Sequence, residues 1–164
     1  MPTLALDCTN CHNHVAKELA HTMQVQDGMS RVVLVVGPQH TLRAAAHLMA
    51  DRGVGAAVVI DPEHPGPGII TERDIVDGIG SGQDPDTELV AEHMSSDIVY
   101  AAPDWSLEEA AVTMVQRGFR HLVVVDGGEI VGVLSMRDVV RVWTDDGASC
   151  PLPQPVSGAV TVVG

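Results

Sequence analysis

Aromatic side chains are nearly absent from this 164-residue chain: Tyr100, Trp105, Phe119 and Trp143 are all it has, 2% of the total. Proteins that grip single-stranded nucleic acid stack its bases on aromatic rings, and that platform is missing. Positive charge is scarce as well. Eight Arg and a single Lys, Lys17, stand against 22 acidic residues for a formal net charge of −13. The surface field therefore repels a polyanion, a second ground for expecting no nucleic-acid partner. Three cysteines, Cys8, Cys11 and Cys150, are too few for a disulfide framework. No apolar run approaches the roughly 20 residues of a membrane span. The N-terminal segment offers only Leu4-Ala5-Leu6 before a polar series of Cys, Asn and His, which is not a secretory signal. The expectation is a cytoplasmic protein with no membrane segment.

What the chain does have is apolar content. Hydrophobic residues make up 45% and charged residues 19%, enough to build a packed core and too much for global disorder. The length allows one compact domain or two small ones of roughly 60 to 70 residues.

Sliding the chain along itself reveals an internal repeat. A shift of 65 positions places Met29-Ser30 on Met94-Ser95, Pro38 on Pro103, Thr41-Leu42 on Ser106-Leu107 and Met49 on Met114. The same shift sets Gly53 on Gly118 and the run Ala57 to Asp61 on Leu122 to Asp126. After one deleted residue the shift becomes 64, and Gly68-Ile69-Ile70-Thr71-Glu72-Arg73-Asp74 lies on Gly132-Val133-Leu134-Ser135-Met136-Arg137-Asp138. The protein is a tandem duplication.

Each copy predicts the same elements. An apolar run (Val32 to Val36; Ile98 to Ala101) ends before Pro38 or Pro103, as a strand does. Thr41 or Ser106 then stands in N-cap position before apolar residues at helical spacing, with Gly53 or Gly118 where a helix C-cap belongs. Ala56 to Ile60 and Leu122 to Val125 are β-branched-rich runs of the kind buried on both faces. A turn, a second strand (Ile69-Ile70; Ile130 to Leu134) and a helix opening at Thr71 or Ser135 complete the unit. The predicted order is β-α-β-β-α, twice, in an α/β (α+β) chain whose repeats pack through their sheets because neither is large enough to bury both faces alone. Residues 25–80 and 89–143 are assigned to the repeats. A Gly-, Ser- and Asp-rich linker over 81–88 separates them, an N-terminal arm precedes them over 1–24, and a Pro-containing tail follows over 144–164.

The glycine, two apolar residues, hydroxyl and Asp of Gly68 to Asp74 and Gly132 to Asp138, with the Asp-terminated strands before them, resemble the CBS domain family. Two copies in register are similar to a CBS pair, or Bateman module, over roughly residues 25 to 143. The likeness is to stand-alone bacterial CBS-pair proteins. It implies a pseudo-two-fold pair, commonly dimeric, that binds an adenosine-containing metabolite (AMP, ADP, ATP or S-adenosylmethionine) between the repeats and signals to a partner protein.

Read from the residues alone, Thr71 with Asp74 and Ser135 with Asp138 are capping boxes, each worth about 1 kcal/mol. The same geometry is an anion site, because a helix N-terminus with a free hydroxyl holds phosphate. In the family resembled, the matching Ser or Thr contacts phosphate and the matching Asp contacts ribose. That nominates Thr71 and Asp74 in one site, Ser135 and Asp138 in the other. Arg120 and His121 precede the strand of the second repeat, where the first has Val54-Gly55-Ala56-Ala57. Phosphorylated ligands are therefore expected at the second site; the Gly- and Ala-lined first site is expected to take a less charged adenosyl group or stay empty. Arg73 and Arg137 adjoin the motif Asp residues and reach either phosphate or solvent.

Outside the repeats, Cys8, Cys11, His12 and His14 form a Cys-x-x-Cys-His-x-His cluster with zinc-ligating residue types. As a helix, this stretch would put Cys8, Cys11 and His12 on one face and His14 off it. Val15, Leu19 and Met23 have the spacing of a short amphipathic helix. Alternatives to a ligand sensor are a ligand-free dimerisation scaffold and a metal- or redox-responsive protein run by this cluster. No nucleophile has a general base at motif spacing, so no enzymatic activity is expected.

Overall fold

The structure is a computed structural model, and it describes residues 23–63 and 66–145. Each repeat contributes one three-stranded sheet. In the first, β1 (Val35–Val36), α2 (Leu42–Arg52), β2 (Ala56–Val59), β3 (Gly68–Thr71) and α3 (Glu72–Gly80) follow a short helical turn, α1 (Val25–Gly28). In the second, a matching turn α4 (Val90–His93) precedes β4 (Tyr100–Ala101), α5 (Leu107–Arg117), β5 (His121–Asp126), β6 (Glu129–Ser135) and α6 (Met136–Asp145). Strand order is β1-β2-β3 and β4-β5-β6, the first pair of each sheet parallel and the second antiparallel.

The helix boundaries follow from their caps. The Thr41 and Ser106 hydroxyls accept the N–H groups of Ala44 and Glu109, at 3.2 and 3.0 Å. Gly53 and Gly118 close α2 and α5 with φ of 63° and 72°, a left-handed conformation that glycine adopts without Cβ strain. The first strands are shorter than their apolar runs predict. Only Val35 and Val36 stand in register with β2, and Val32 is left 63% exposed.

The cores lie between each sheet and its helices. Ala57 and Val59 of β2 face one core, Leu122 and Val124 of β5 the other. Strand side chains alternate, so Val58 and Val123 turn away from the helices, yet both are fully buried. That second face of each sheet is where the repeats meet.

The helical turns α1 and α4, which the sequence patterning did not predict, are exchanged. Val25 is fully buried in the core of the second repeat, with Leu107, Met114 and Leu134. Val90 is fully buried in the core of the first, with Leu42, Met49 and Ile70. Backbone bonds fix both segments: Ser30 bridges Val133 and Gln24 bridges Ser106, while Ser95 bridges Ile69 and Leu89 bridges Thr41. Met23 packs against the second core, whereas Val15 and Leu19 lie outside the described residues. No helix among the described residues is long and apolar enough to cross a membrane.

Candidate functional site

Each motif hydroxyl sits at the junction of the last strand and last helix of its repeat. Antiparallel register decides what stands opposite. Thr71 pairs with Ala56 across β2–β3, and Ser135 pairs with His121 across β5–β6. Directly opposed residues project to the same face at close range, so the imidazole of His121 shares the inter-repeat face with the Ser135 hydroxyl.

Both motifs close a reciprocal cap. Asp138 Oδ2 accepts from Ser135 N at 3.0 Å and from Ser135 Oγ at 2.5 Å, while Ser135 Oγ accepts from Asp138 N at 3.2 Å. Asp74 Oδ2 accepts from Thr71 N and Oγ1, both at 2.7 Å, and Thr71 Oγ1 accepts from Asp74 N at 3.4 Å. The capping function is therefore realised twice. The third contact breaks the symmetry. Asp138 Oδ1 accepts from Arg141 Nη2 at 2.9 Å, and that guanidinium also donates to Gly28 O at 3.1 Å, joining the motif to the exchanged turn α1. The position matching Arg141 in the first repeat is Asp77, which cannot donate.

One cleft of about 600 Å3 lies over this face, within the range of small-molecule sites. Ser135, Arg137, Asp138, Arg120 and His121 of the second repeat line it. So do Arg52, Val54, Gly55, Ala56 and Glu72 of the first. Val54 to Ala56, which the sequence places at the first repeat's own site, stand in the wall of this cleft beside the second motif. Their small size creates room, and Gly55 shows how tight the wall is. A Cβ on Gly55 would lie 3.0 Å from the Glu72 carboxylate and 3.7 Å from His121 Nε2. Thr71 does not line this cleft. Asp74 lines a separate open depression of about 370 Å3 with Asp77, Glu92 and His93. His93 Nε2 there contacts Glu88 at 3.1 Å.

Burial, then the Arg120 guanidinium and more weakly that of Arg137, push the His121 imidazole below its ordinary range, against the opposing pull of Asp138 and Glu72. Asp138 behaves differently. Burial raises its carboxyl, but the hydrogen bonds from Ser135 and Arg141 together outweigh that and hold it below the usual carboxylate value. At neutral pH the site therefore presents a neutral imidazole, an ionised Asp138 and three guanidiniums.

Arg52 escaped the sequence reading. It looks like a last-turn cation answering a helix dipole, and nothing in its own repeat marks it as facing the other. Cys8, Cys11, His12 and His14 lie outside the described residues, and no group of three or more His, Cys, Asp or Glu among the described residues is arranged to hold a metal.

The CBS domain family model matches residues 20–81 and 90–145. The CBS domain-containing protein YhcV of Bacillus subtilis is 36% identical over 116 residues, covering 70% of this chain and 81% of its own. The chain spans 63% of the length of an uncharacterised Methanopyrus kandleri relative, 32% identical over 123 residues. Among solved structures, the hexameric CBS-CP12 protein from bloom-forming cyanobacteria superposes with a TM-score of 0.71 at 26% identity, covering 80% of this chain and 79% of its own. Hypoxic Response Protein I, solved with two coordinated zinc ions, has a TM-score of 0.60 at 28% identity, covering 73% and 98%; as a sequence relative that protein is from Mycobacterium tuberculosis. The CBS domain pair of protein MJ0100, solved with 5′-methylthioadenosine and S-adenosyl-L-methionine, shares the fold, with a TM-score of 0.69 at 20% identity over 77% and 99% of the two chains.

Proposed function

The chain belongs to the CBS domain family as a tandem CBS pair, and we propose that it is a sensor binding an adenosine-containing metabolite in the cleft over Ser135 and Asp138. The observation that carries the reading is the cleft itself. It joins a helix N-terminus, a ribose-accepting carboxylate, an imidazole and guanidiniums to an apolar wall from the opposite repeat. A helix start suits a phosphate, and a carboxylate fixed by its cap suits a vicinal diol. The adenosyl ligands of the MJ0100 pair support the ligand class. Ser135, Asp138, Arg120 and His121 form the main site; Thr71 and Asp74 form its pseudo-symmetric counterpart, beside an acidic depression that disfavours phosphate.

The sensor signals by changing contacts with a partner protein, which requires a ligand that prefers one state over another. Self-association belongs to the same reading. Val76 and Ile79 on α3 are 65% and 50% exposed, and Val140 on α6 is 50% exposed, so the last helices of both repeats offer apolar faces to a second copy. Calorimetric titration with AMP, ATP and S-adenosylmethionine tests the site. Saturable heat that is lost in Ser135→Ala supports it, and no heat from folded protein sinks it.

A second reading rests on the zinc of Hypoxic Response Protein I. In it, Cys8, Cys11, His12 and His14 hold zinc and the CBS pair serves as a scaffold. Elemental analysis of purified protein, with Cys8→Ser as control, decides it.

A further inference from the structure

We infer that Arg141 is a positioning residue that couples the cleft to the exchanged turn α1, so that ligand binding at Asp138 and docking of α1 reinforce one another. The inference rests on the adenosine-sensor reading for the ligand and adds where in the chain its binding is felt.

The first ground is a guanidinium with two partners. Arg141 Nη2 donates to Asp138 Oδ1 at 2.9 Å and to Gly28 O at 3.1 Å, 113 positions earlier in the chain. Asp138 lines the cleft, and Gly28 is the buried last residue of α1. An ionised carboxylate offers about four acceptor positions. Ser135 N, Ser135 Oγ and Arg141 take three on Asp138, so a ligand hydroxyl can be accepted without displacing Arg141. With α1 docked, the Gly28 carbonyl holds the guanidinium, and the guanidinium fixes the carboxylate before a ligand arrives. With α1 released, Arg141 keeps only a half-exposed pair, which holds weakly.

The second ground is that the same segment runs on into the cleft wall. Ser30, just beyond Gly28, lines the cleft and pairs with Val133 through both of its backbone groups, at 2.9 and 3.0 Å. Seating Val25 in the second core and shaping the cleft are therefore one packing event.

The third ground is the comparison within the molecule. At the positions related by the repeat, Asp77 stands for Arg141 and His93 for Gly28. Asp77 shares an open depression with Asp74, Glu92 and His93, and His93 contacts Glu88 at 3.1 Å. Among the described residues no side chain of α3 hydrogen-bonds to α4. Even the packing is reversed. A Cβ on Gly28 would lie 3.0 Å from Val142 Cγ2, whereas one on Gly78, the position matching Val142, would lie 3.2 Å from His93 Cε1. The strap is therefore particular to the second motif. Residues 1–24 lead directly into α1, so the N-terminal segment is where occupancy of the cleft is read.

Titration calorimetry with AMP, ATP and S-adenosylmethionine tests this, together with amide hydrogen exchange over Val25 to Ser30 and Val90 to Ser95. The proteins are the natural chain, Arg141→Met, Val25→Ala and Val90→Ala. Val25 does not line the cleft, and Val90→Ala opens the matching cavity under α4 as the control for lost core. A bound probe should slow exchange over Val25 to Ser30 about fivefold more than over Val90 to Ser95, and Arg141→Met should abolish that difference. Arg141→Met and Val25→Ala should each weaken the probe about fivefold, with little further loss when combined, while Val90→Ala stays within about twofold. Arg141 is 56% exposed, so its variant stays folded and decides the matter even where Val25→Ala does not fold. Undiminished affinity in Arg141→Met, equal losses in Val25→Ala and Val90→Ala, or an exchange difference that survives Arg141→Met overturns the coupling and leaves the sensor standing. No heat with any of the three probes from the folded natural chain overturns both.

Discussion

Replacing Asp138 by Ala and Asp74 by Ala separates capping from ligand binding, because the two residues make the same cap and only one lines the cleft. Each substitution removes a carboxylate that accepts from the N–H and hydroxyl of the cap residue, a loss of about 1 kcal/mol. Asp138→Ala also strands Arg141. That pair is half exposed, the guanidinium 56% and the carboxylate 21%, so its loss adds at most about 1 kcal/mol after solvent screening. In a domain of this size each kcal/mol lowers the melting temperature by about 3–5 °C. Asp74→Ala should therefore melt a few degrees low and Asp138→Ala slightly lower. Binding should diverge far more. A hydrogen bond to a charged group contributes roughly 1.5–3 kcal/mol, so Asp138→Ala should weaken the nucleotide about ten- to a hundredfold. Asp74→Ala should leave it within about threefold. Thermal melts and calorimetry on both variants, well below either melting point, give the comparison. Equal losses of affinity, or none in either variant, would refute the assignment of the cleft to the second motif.

Two further outcomes follow from the geometry. His121 has a folded-state pKa below its unfolded value of about 6.5, so the unfolded chain binds the extra proton first. Its contribution is intact above that value and is lost as pH falls through it; urea midpoints at pH 7.5 and 5.5 should differ more in the natural chain than in His121→Gln. Gly132→Ala should be more destabilising than Gly68→Ala, by about 1–3 kcal/mol in urea melts, because a Cβ on Gly132 meets the Ser30 carbonyl at 2.8 Å whereas one on Gly68 presses at 2.8 Å only on the flexible Met94 sulfur.

Much of this molecule can be read from its sequence because each signal is local. Thr41 and Ser106 cap the helices they precede, Gly53 and Gly118 end them, and the register that sets His121 against Ser135 follows from a short antiparallel hairpin. What the sequence conceals is everything that depends on the second repeat lying against the first. Val54, Gly55 and Ala56 read as the floor of their own site, yet they wall the other one. Arg52 is an ordinary helix-end cation until the pseudo-two-fold contact makes it part of the cleft that Arg120 also lines. Val25 and Val90 stand in segments without a helical period long enough to register, and no pattern within a repeat says that each fills its neighbour's core.

That exchange makes the duplication more than two beads on a string. The turn that completes a repeat is encoded ahead of the other, and Val25 to Ser30 and Val90 to Ser95 make equivalent contacts with equivalent partners. Severed between the repeats, the second half would lose Val25 from its core and gape where that side chain sat. What each half keeps is a turn related by the repeat to the one it lost, with valine at the buried position (Val25 or Val90) and serine at the bridge (Ser30 or Ser95). Fusing two copies let the repeats diverge, so that Arg120 and His121 stand where the first repeat has Gly55 and Ala56.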